Sequence, residues 1–192
     1  MDKISFVTEN FNQHKFVLNK TIKDNLEQII FISSVLTKAI KNNSIIFWCG
    51  NGGSASDSQH LAAELIGRFK NDRKPLKSLS LNSDTSVLTC ISNDYSYQDL
   101  FKRQIEGLGS KGDVIIVIST SGESENIIRV LKKAKDLKIY TIALLGKLGG
   151  RAKDIADYSL IIDSQSTARI QEMHILIGHI IIDLIEKELG YG

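Results

Sequence analysis

His60 and Glu64 stand four residues apart in the segment FWCGNGGSASDSQHLAAEL, residues 47–65. On a helix that spacing puts an imidazole and a carboxylate on one face. Such a pair can move protons or supply two ligands of a metal ion. Just upstream, Gly50-Asn51-Gly52-Gly53-Ser54 ends an apolar run and opens a helix-compatible stretch. Its glycines permit positive φ and close backbone approach, and the free N–H groups at a helix start favour an anion. A second loop, Ser119-Thr120-Ser121-Gly122-Glu123-Ser124, follows another apolar run and adds three serine hydroxyls and a threonine hydroxyl as neutral donors. Near the C-terminus, Gln171, His174 and His179 interrupt an apolar stretch, and a buried imidazole there needs a partner.

The elements that must hold these residues alternate between strand and helix. Apolar, β-rich runs occupy 44–49, 76–81, 114–119, 139–145 and 158–163, with helix-like segments at 54–69, 98–108 and 125–137 and a long last helix over 167–189. The first 43 residues read as mostly helical: Leu26, Ile29, Ile30, Leu36, Ala39 and Ile40 keep a helical period, with Ser33 as the polar gap. Nearly continuous apolar strands joined by helices imply a parallel sheet covered on both faces. The expectation is an α/β, three-layer αβα sandwich with a five-stranded parallel sheet in flavodoxin-like order 2-1-3-4-5. It forms one domain over 1–192, with an N-terminal helical segment (1–43), an α/β sandwich (44–192) and a long buried C-terminal helix.

In that order strands one and three flank the topological switch point, so both polar loops open on one crevice. Gly50, Gly52 and Ala55 fit a loose dinucleotide fingerprint, but Asn82 stands where a ribose-binding acid is expected, and no GK[ST] is present. A small phosphorylated ligand fits better than a nucleotide. The hydroxyl-rich loop is then the phosphate cradle and the glycine loop holds the ligand's polar body. Asn93-Asp94 reads as a turn after the apolar stretch 87–91, able to reach ligand hydroxyls.

A histidine and a carboxylate beside a phosphate site suit proton shuttling on a phosphosugar. Aldose–ketose isomerisation needs a base, an oxygen-proton carrier and a polariser of the carbonyl. A His/Glu/Gln/His set could also bind zinc, which accepts nitrogen and oxygen ligands and polarises carbonyls. Gln171 and His179 are eight residues apart, about 12 Å along one helix at about 1.5 Å per residue. Convergence on one ion requires their side chains to lean together. Otherwise they come from different subunits, or one is not a ligand.

Composition excludes several other classes. A net charge of +2 leaves no nucleic-acid footprint, and the most basic run, 70–77, reads as a solvated loop. Cys49 and Cys90 show no CxxC spacing; both sit in apolar strings, read as small buried hydrophobes, and suit a reducing cytosol. The N-terminal MDKISFVTENFNQHKF lacks the apolar core of a signal peptide. Glu172, His174, His179 and Asp183 break the last apolar stretch, which argues against a membrane span.

CGNGGSASDSQHLAAELIGRF (49–69), ISND (91–94), STSGES (119–124) and ARIQEMHILIGH (168–179) together resemble the phosphoheptose isomerases of the sugar-isomerase (SIS) domain group, over nearly the whole chain. The resemblance implies a cytoplasmic homotetramer with sites at subunit interfaces, acting on a phosphorylated seven-carbon sugar. Its reaction would turn D-sedoheptulose 7-phosphate into D-glycero-D-manno-heptose 7-phosphate. It further implies substrate contacts from Asn51, Gly52, Gly53, Ser54, Glu64, Asn93, Asp94, Ser119, Thr120, Ser121, Ser124 and Gln171. Glu64 and His179 would be the catalytic pair, and His60, Glu64, Gln171 and His179 the zinc positions. Some members carry an aspartate just before the arginine of the RIQE motif; here it is Ala168, so no role of that carboxylate transfers. A related non-enzymatic tetramer binds the bacterial replication initiator but lacks counterparts of Glu64 and His179. A sugar-sensing regulator module would need a DNA-binding domain, for which the chain has no room.

Apolar residues cover most of the circumference of the last helix, and an outer layer cannot bury all of it. The excess face is expected to pack on another subunit. Light scattering should therefore give a mass above that of one chain, and a concentration-independent monomer would refute this.

Overall fold

The computed structural model describes residues 1–191. Helix α1 (Lys3–Lys41) is followed by β1 (Ile46–Gly50), α2 (Gly53–Ile66), β2 (Ser78–Ser80) and α3 (Thr85–Asp94). A 3-10 turn (Tyr97–Asp99) leads into α4 (Leu100–Leu108), β3 (Val114–Ser119), α5 (Glu125–Asp136) and β4 (Tyr140–Gly146). The chain closes with α6 (Gly150–Ile155), β5 (Tyr158–Ile162) and α7 (Thr167–Glu188). The five strands are parallel and ordered β2-β1-β3-β4-β5, the order expected from the sequence.

Side-chain alternation divides the core. Ile46 and Trp48 of β1 face one side with Ile116 and Ile118 of β3, where Ile32 and Leu36 of α1, Leu61 and Leu65 of α2, and Ile177 and Ile181 of α7 pack on them. Phe47, Cys49, Ile115 and Val117 face the other side, against Phe101 and Ile105 of α4 and Ile127, Val130 and Leu131 of α5. Every residue of β1 and of β3 is buried, as the continuous apolar runs require. On the first side, α2 and α7 come close enough that a Cβ on Gly178 would lie 2.6 Å from Leu61 Cδ1.

Several expectations change. Residues 85–94 are a helix, so Asn93 and Asp94 sit in its last turn rather than in a separate turn. Asp84 starts this helix by accepting from the N–H groups of Ser86 and Val87. Ile91 of α3 is buried, and Val87 and Leu88, at helical spacing from it, are partly buried against the same core. Cys49 is buried, but Cys90, on the open side of α3, is exposed. The short α6, which begins at Gly150, had no periodic signal. Within the basic run, Arg73 is buried against Glu186 rather than solvated. Most of the apolar surface of α7 is covered by its own chain, leaving Leu176 and Ile180 open. The larger uncovered apolar face is on α1, including Phe11, Phe16, Leu26 and Ile30. Among the described residues, no helix is long and apolar enough to cross a membrane.

His174 of α7 is fully buried and its Nε2 lies 3.0 Å from the carbonyl oxygen of Leu145, at the end of β4. That carbonyl can only accept, so Nε2 carries the proton and the neutral ring presents a bare Nδ1. Burial pushes its pKa from 6.5 down to about 4, opposed by the Leu145 bond. The folded state therefore binds this proton more weakly than the unfolded state. The contribution is present above pH 6.5 and is lost as pH falls toward 4. Urea titrations should show a loss on the order of 3 kcal/mol from this group across that window. His174→Gln, which keeps a donor for Leu145 but does not titrate, should flatten that acid limb.

Candidate active site

The two loops expected to hold the ligand meet at the switch point between β1 and β3. In the first, a Cβ on Gly50 would lie 2.5 Å from Ser54 O, so only glycine lets α2 begin this close to the strand. Gly52 adopts φ 59° and ψ −124° as the N-cap of α2, a conformation closed to side-chain-bearing residues. Asn82, absent from the expected site, anchors the strand end: Gly50 N–H donates to its Oδ1 (3.1 Å) and its Nδ2 donates to Gly50 O (3.0 Å). Ser54 is buried in the first turn of α2.

Asn51 is tied across the crevice. Its Nδ2 donates to Asn126 Oδ1 and its Oδ1 accepts from Asn126 Nδ2, both at 2.9 Å, while Tyr97 Oη donates to the same Oδ1 at 2.8 Å. Asn126 lies in the first turn of α5, so this amide pair fixes the glycine loop to the hydroxyl loop. Of the four polar positions of Asn51, one N–H is left for a ligand. Neither Asn126 nor Tyr97 was anticipated; the position of Asn126 two residues beyond STSGES was the one available signal.

In the second loop, Ser119 Oγ accepts from Gly122 N–H (3.0 Å) and Ser121 Oγ accepts from Glu123 N–H (3.2 Å). Each hydroxyl keeps its own O–H to donate. Ser124 is the N-cap of α5 but makes no capping bond with its side chain, so its hydroxyl is also free. Thr120 stands between Ser119 and Ser121 on the half-buried rim. The loop is braced from outside by Glu123, which accepts from Arg151 Nε (2.8 Å) and Arg151 N–H (3.0 Å). These neutral donors and the α5 N-terminus suit an anion.

The chemistry-bearing residues lie farther along α2. Gly53, Asp57, His60 and Glu64 line one face at helical spacing. His60 Nε2 lies 3.2 Å from Glu64 Oε1 and 2.9 Å from His179 Nε2 on α7. The ligand atoms of His60, Glu64 and His179 all lie within 4.8 Å of one another. Three lone-pair donors facing one another need a shared proton or a cation between them. Two imidazoles and a carboxylate form a donor set of open catalytic zinc sites, so the residues fit that ion. Burial holds His179 below the ordinary imidazole range; His60 adds to this and Glu64 opposes it.

Gln171 lies eight residues before His179 on the same helix. Its Nε2 would lie 2.6 Å from a Cβ on Gly53, at the loop end of α2. The contacts Gly53–Gln171, Leu61–Gly178 and His60–His179 advance together, so α2 and α7 run in the same direction. Gln171 therefore meets the ligand loop and His179 meets the His/Glu pair. Asp57, also unanticipated, has a buried Oδ2 without a hydrogen-bond partner, and burial raises its pKa while His60 acts against the rise. Asn93 and Asp94 bond each other at 2.8 Å on the exposed end of α3. Asp94 lines a cavity of about 560 Å³ with Cys90, Tyr95 and Arg103, and no hydrogen bond among the described residues joins the pair to either loop.

Gly122 carries the sharpest steric demand: it adopts φ 67°, and a Cβ there would fall 1.9 Å from Gly149 O. Gly122→Ala must displace the α6 start as well as adopt a strained backbone, which alone costs about 1–3 kcal/mol. A lowered unfolding midpoint and a raised KM for the phosphorylated substrate should result.

Residues 10–146 match the SIS domain family. A phosphoheptose isomerase from a Nitratiruptor species is 48% identical over 184 residues, covering 96% of this chain and 98% of its own. One from Clostridium acetobutylicum is 52% identical over 172 residues, 88% of each chain. Among solved structures, a phosphoheptose isomerase from Francisella tularensis matches with a TM-score of 0.95 at 30% identity, covering 97% of this chain and all of that one (100%). That of Neisseria gonorrhoeae gives 0.90 at 36% identity, covering 95% and 98%. Similarity at this level, running almost end to end, means that the chain belongs to the SIS-domain proteins and, among them, to the phosphoheptose isomerases.

Proposed function

We propose that the crevice between β1 and β3 binds D-sedoheptulose 7-phosphate and converts it to D-glycero-D-manno-heptose 7-phosphate through an enediol, the first step of bacterial ADP- or GDP-heptose synthesis. The observation that carries this reading is the His60–Glu64–His179 cluster, set along the same helix that starts at the glycine loop. His60 lies seven residues beyond Gly53, about 10 Å along α2 at about 1.5 Å per residue. That separation suits a ligand whose phosphate and carbonyl are at opposite ends of a long chain.

In this reading Ser119, Thr120, Ser121 and Ser124 hold the phosphate, and Asn51, Gly52, Gly53 and Ser54 hold the sugar chain. Asn93 and Asp94 serve as further substrate contacts, for which α3 must approach the loops. Glu64 removes the proton from C1 of the ketose while His179 gives a proton to O2, forming the enediol. His179 then takes the proton from O1 as Glu64 returns one to C2, so the proton count balances. His60, Glu64, Gln171 and His179 would hold zinc, Gln171 coming from the part of α7 that packs beside Gly53 and also meeting the substrate. When bound, the ion polarises the substrate carbonyl.

The active form in this proposal is a cytoplasmic homotetramer with sites at subunit interfaces. The uncovered apolar face of α1 and the half-exposed His60 support it. A non-enzymatic relative that binds the replication initiator is disfavoured, because Glu64 and His179 are both present and belong to one cluster.

Sedoheptulose 7-phosphate consumption should depend on the ion, falling with chelator and returning with zinc. Glu64→Gln and His179→Gln should each lose about 10²–10⁴-fold in kcat without change of assembly size. Near-normal turnover in both variants would overturn the assigned roles.

A further inference from the structure

A metal-ligating histidine is usually oriented by a hydrogen bond from its second ring nitrogen to a carboxylate or a carbonyl. His179 has no such bond among the described residues: its polar contact is Nε2 to His60. Its ring is instead held by packing. The edge of His60 meets it with centroids 5.0 Å apart at 66°, and Phe69 stacks on it at 5.4 Å and 14°.

Phe69 belongs to the irregular segment between α2 and β2, an unpromising place for a rigid support. This segment is nailed down by Arg73 and Glu186, whose side chains are 0% and 1% exposed and pair at 2.6 Å. Glu186 Oε1 also accepts from Phe69 N–H (3.2 Å) and Oε2 from Lys70 N–H (3.1 Å). Arg73 also donates to carbonyls at the end of α2, Nη2 to Glu64 O (2.8 Å) and Nη1 to Leu65 O (2.9 Å), and Nη1 donates as well to Lys74 O (3.1 Å). The same buried pair thus fixes the backbone of Glu64 and the amide of Phe69. Removing one partner of such a pair is costly, whereas its net stabilisation against apolar replacements is small. A buried ion pair that fixes geometry is therefore better explained by positioning than by stability.

We propose that Phe69, held by the Arg73–Glu186 pair, is a positioning residue that sets the ring plane of His179 and so the geometry of the His60–Glu64–His179 cluster. This rests on the assignment of His179 to the reacting cluster made above. Phe69 touches neither substrate nor ion in this proposal. Its ring replaces the hydrogen bond that would otherwise select the imidazole orientation.

The test compares Phe69→Leu, which keeps apolar volume without a flat face, with Phe69→Tyr, which keeps the face. Zinc affinity is read by competition with a chromophoric chelator, and kcat and KM are read on sedoheptulose 7-phosphate. Phe69→Leu should weaken zinc by about 10-fold or more and lower kcat by a similar factor, with KM within about 2-fold of the unmodified chain. Phe69→Tyr should restore both. Unchanged zinc affinity and kcat in Phe69→Leu, even with a lowered unfolding midpoint, would overturn the proposal, as would equal losses in both variants. Phe69→Met carries the same comparison where Phe69→Leu yields no folded protein. A wild-type level in His179→Gln would instead strike at the cluster assignment itself, so the two failures are distinguishable.

Discussion

The close contact between α2 and α7 is the constraint on which the candidate site depends. The two helices, which run in the same direction, come this close because Gly178 offers no side chain where Leu61 must fit. Interhelical distance is set by the side chains at the contact, and here that distance decides whether His179 reaches His60. Each helix alone carries an incomplete set of groups. Only in this register do a pair at helical spacing and a single imidazole become one cluster, while Gln171 packs against Gly53 near the start of α2.

The sheet supplies the other half of the geometry. Parallel strands leave both polar loops at one edge, and the order β2-β1-β3-β4-β5 makes β1 and β3 neighbours. The Asn51–Asn126 amide pair then closes the loops on each other. His174 connects the two halves: it sits on α7, three residues after Gln171, and bonds Leu145, which is in register with Ser119. The hydroxyl loop and the last helix therefore share a fixed reference in the core.

The strands were legible because long buried parallel strands need unbroken apolar runs; their order was chosen because it places both polar loops on one crevice, and the sheet has that order. The His60–Glu64 pair was legible because its partners are four residues apart on one helix. What escaped detection was either local structure with a short stripe or none, or contact across a long separation. Helix α3 has only the short stripe Val87, Leu88 and Ile91, of which Ile91 alone is fully covered, and Cys90 was misread as buried with it. Arg73 was read as solvated because its partner is 113 residues away. Asn126, Tyr97 and Phe69 gain their meaning from contacts that likewise depend on the finished fold. The apolar excess on α7 correctly signalled that the helix is enclosed, but much of the enclosure comes from α1 of the same chain.

The hydroxyl loop contains no lysine or arginine, and its nearest cation, Arg151, is already engaged by Glu123 and Glu125. Donors without net charge attract an anion only at contact range, since a dipole's field decays faster than that of a charge. Capture by such a loop is selective for shape and hydrogen-bond geometry, and it offers little long-range guidance. In the proposed role of this loop, ordinary cellular salt would compete poorly for it, and a phosphorylated product would leave without having to break an ion pair with this chain.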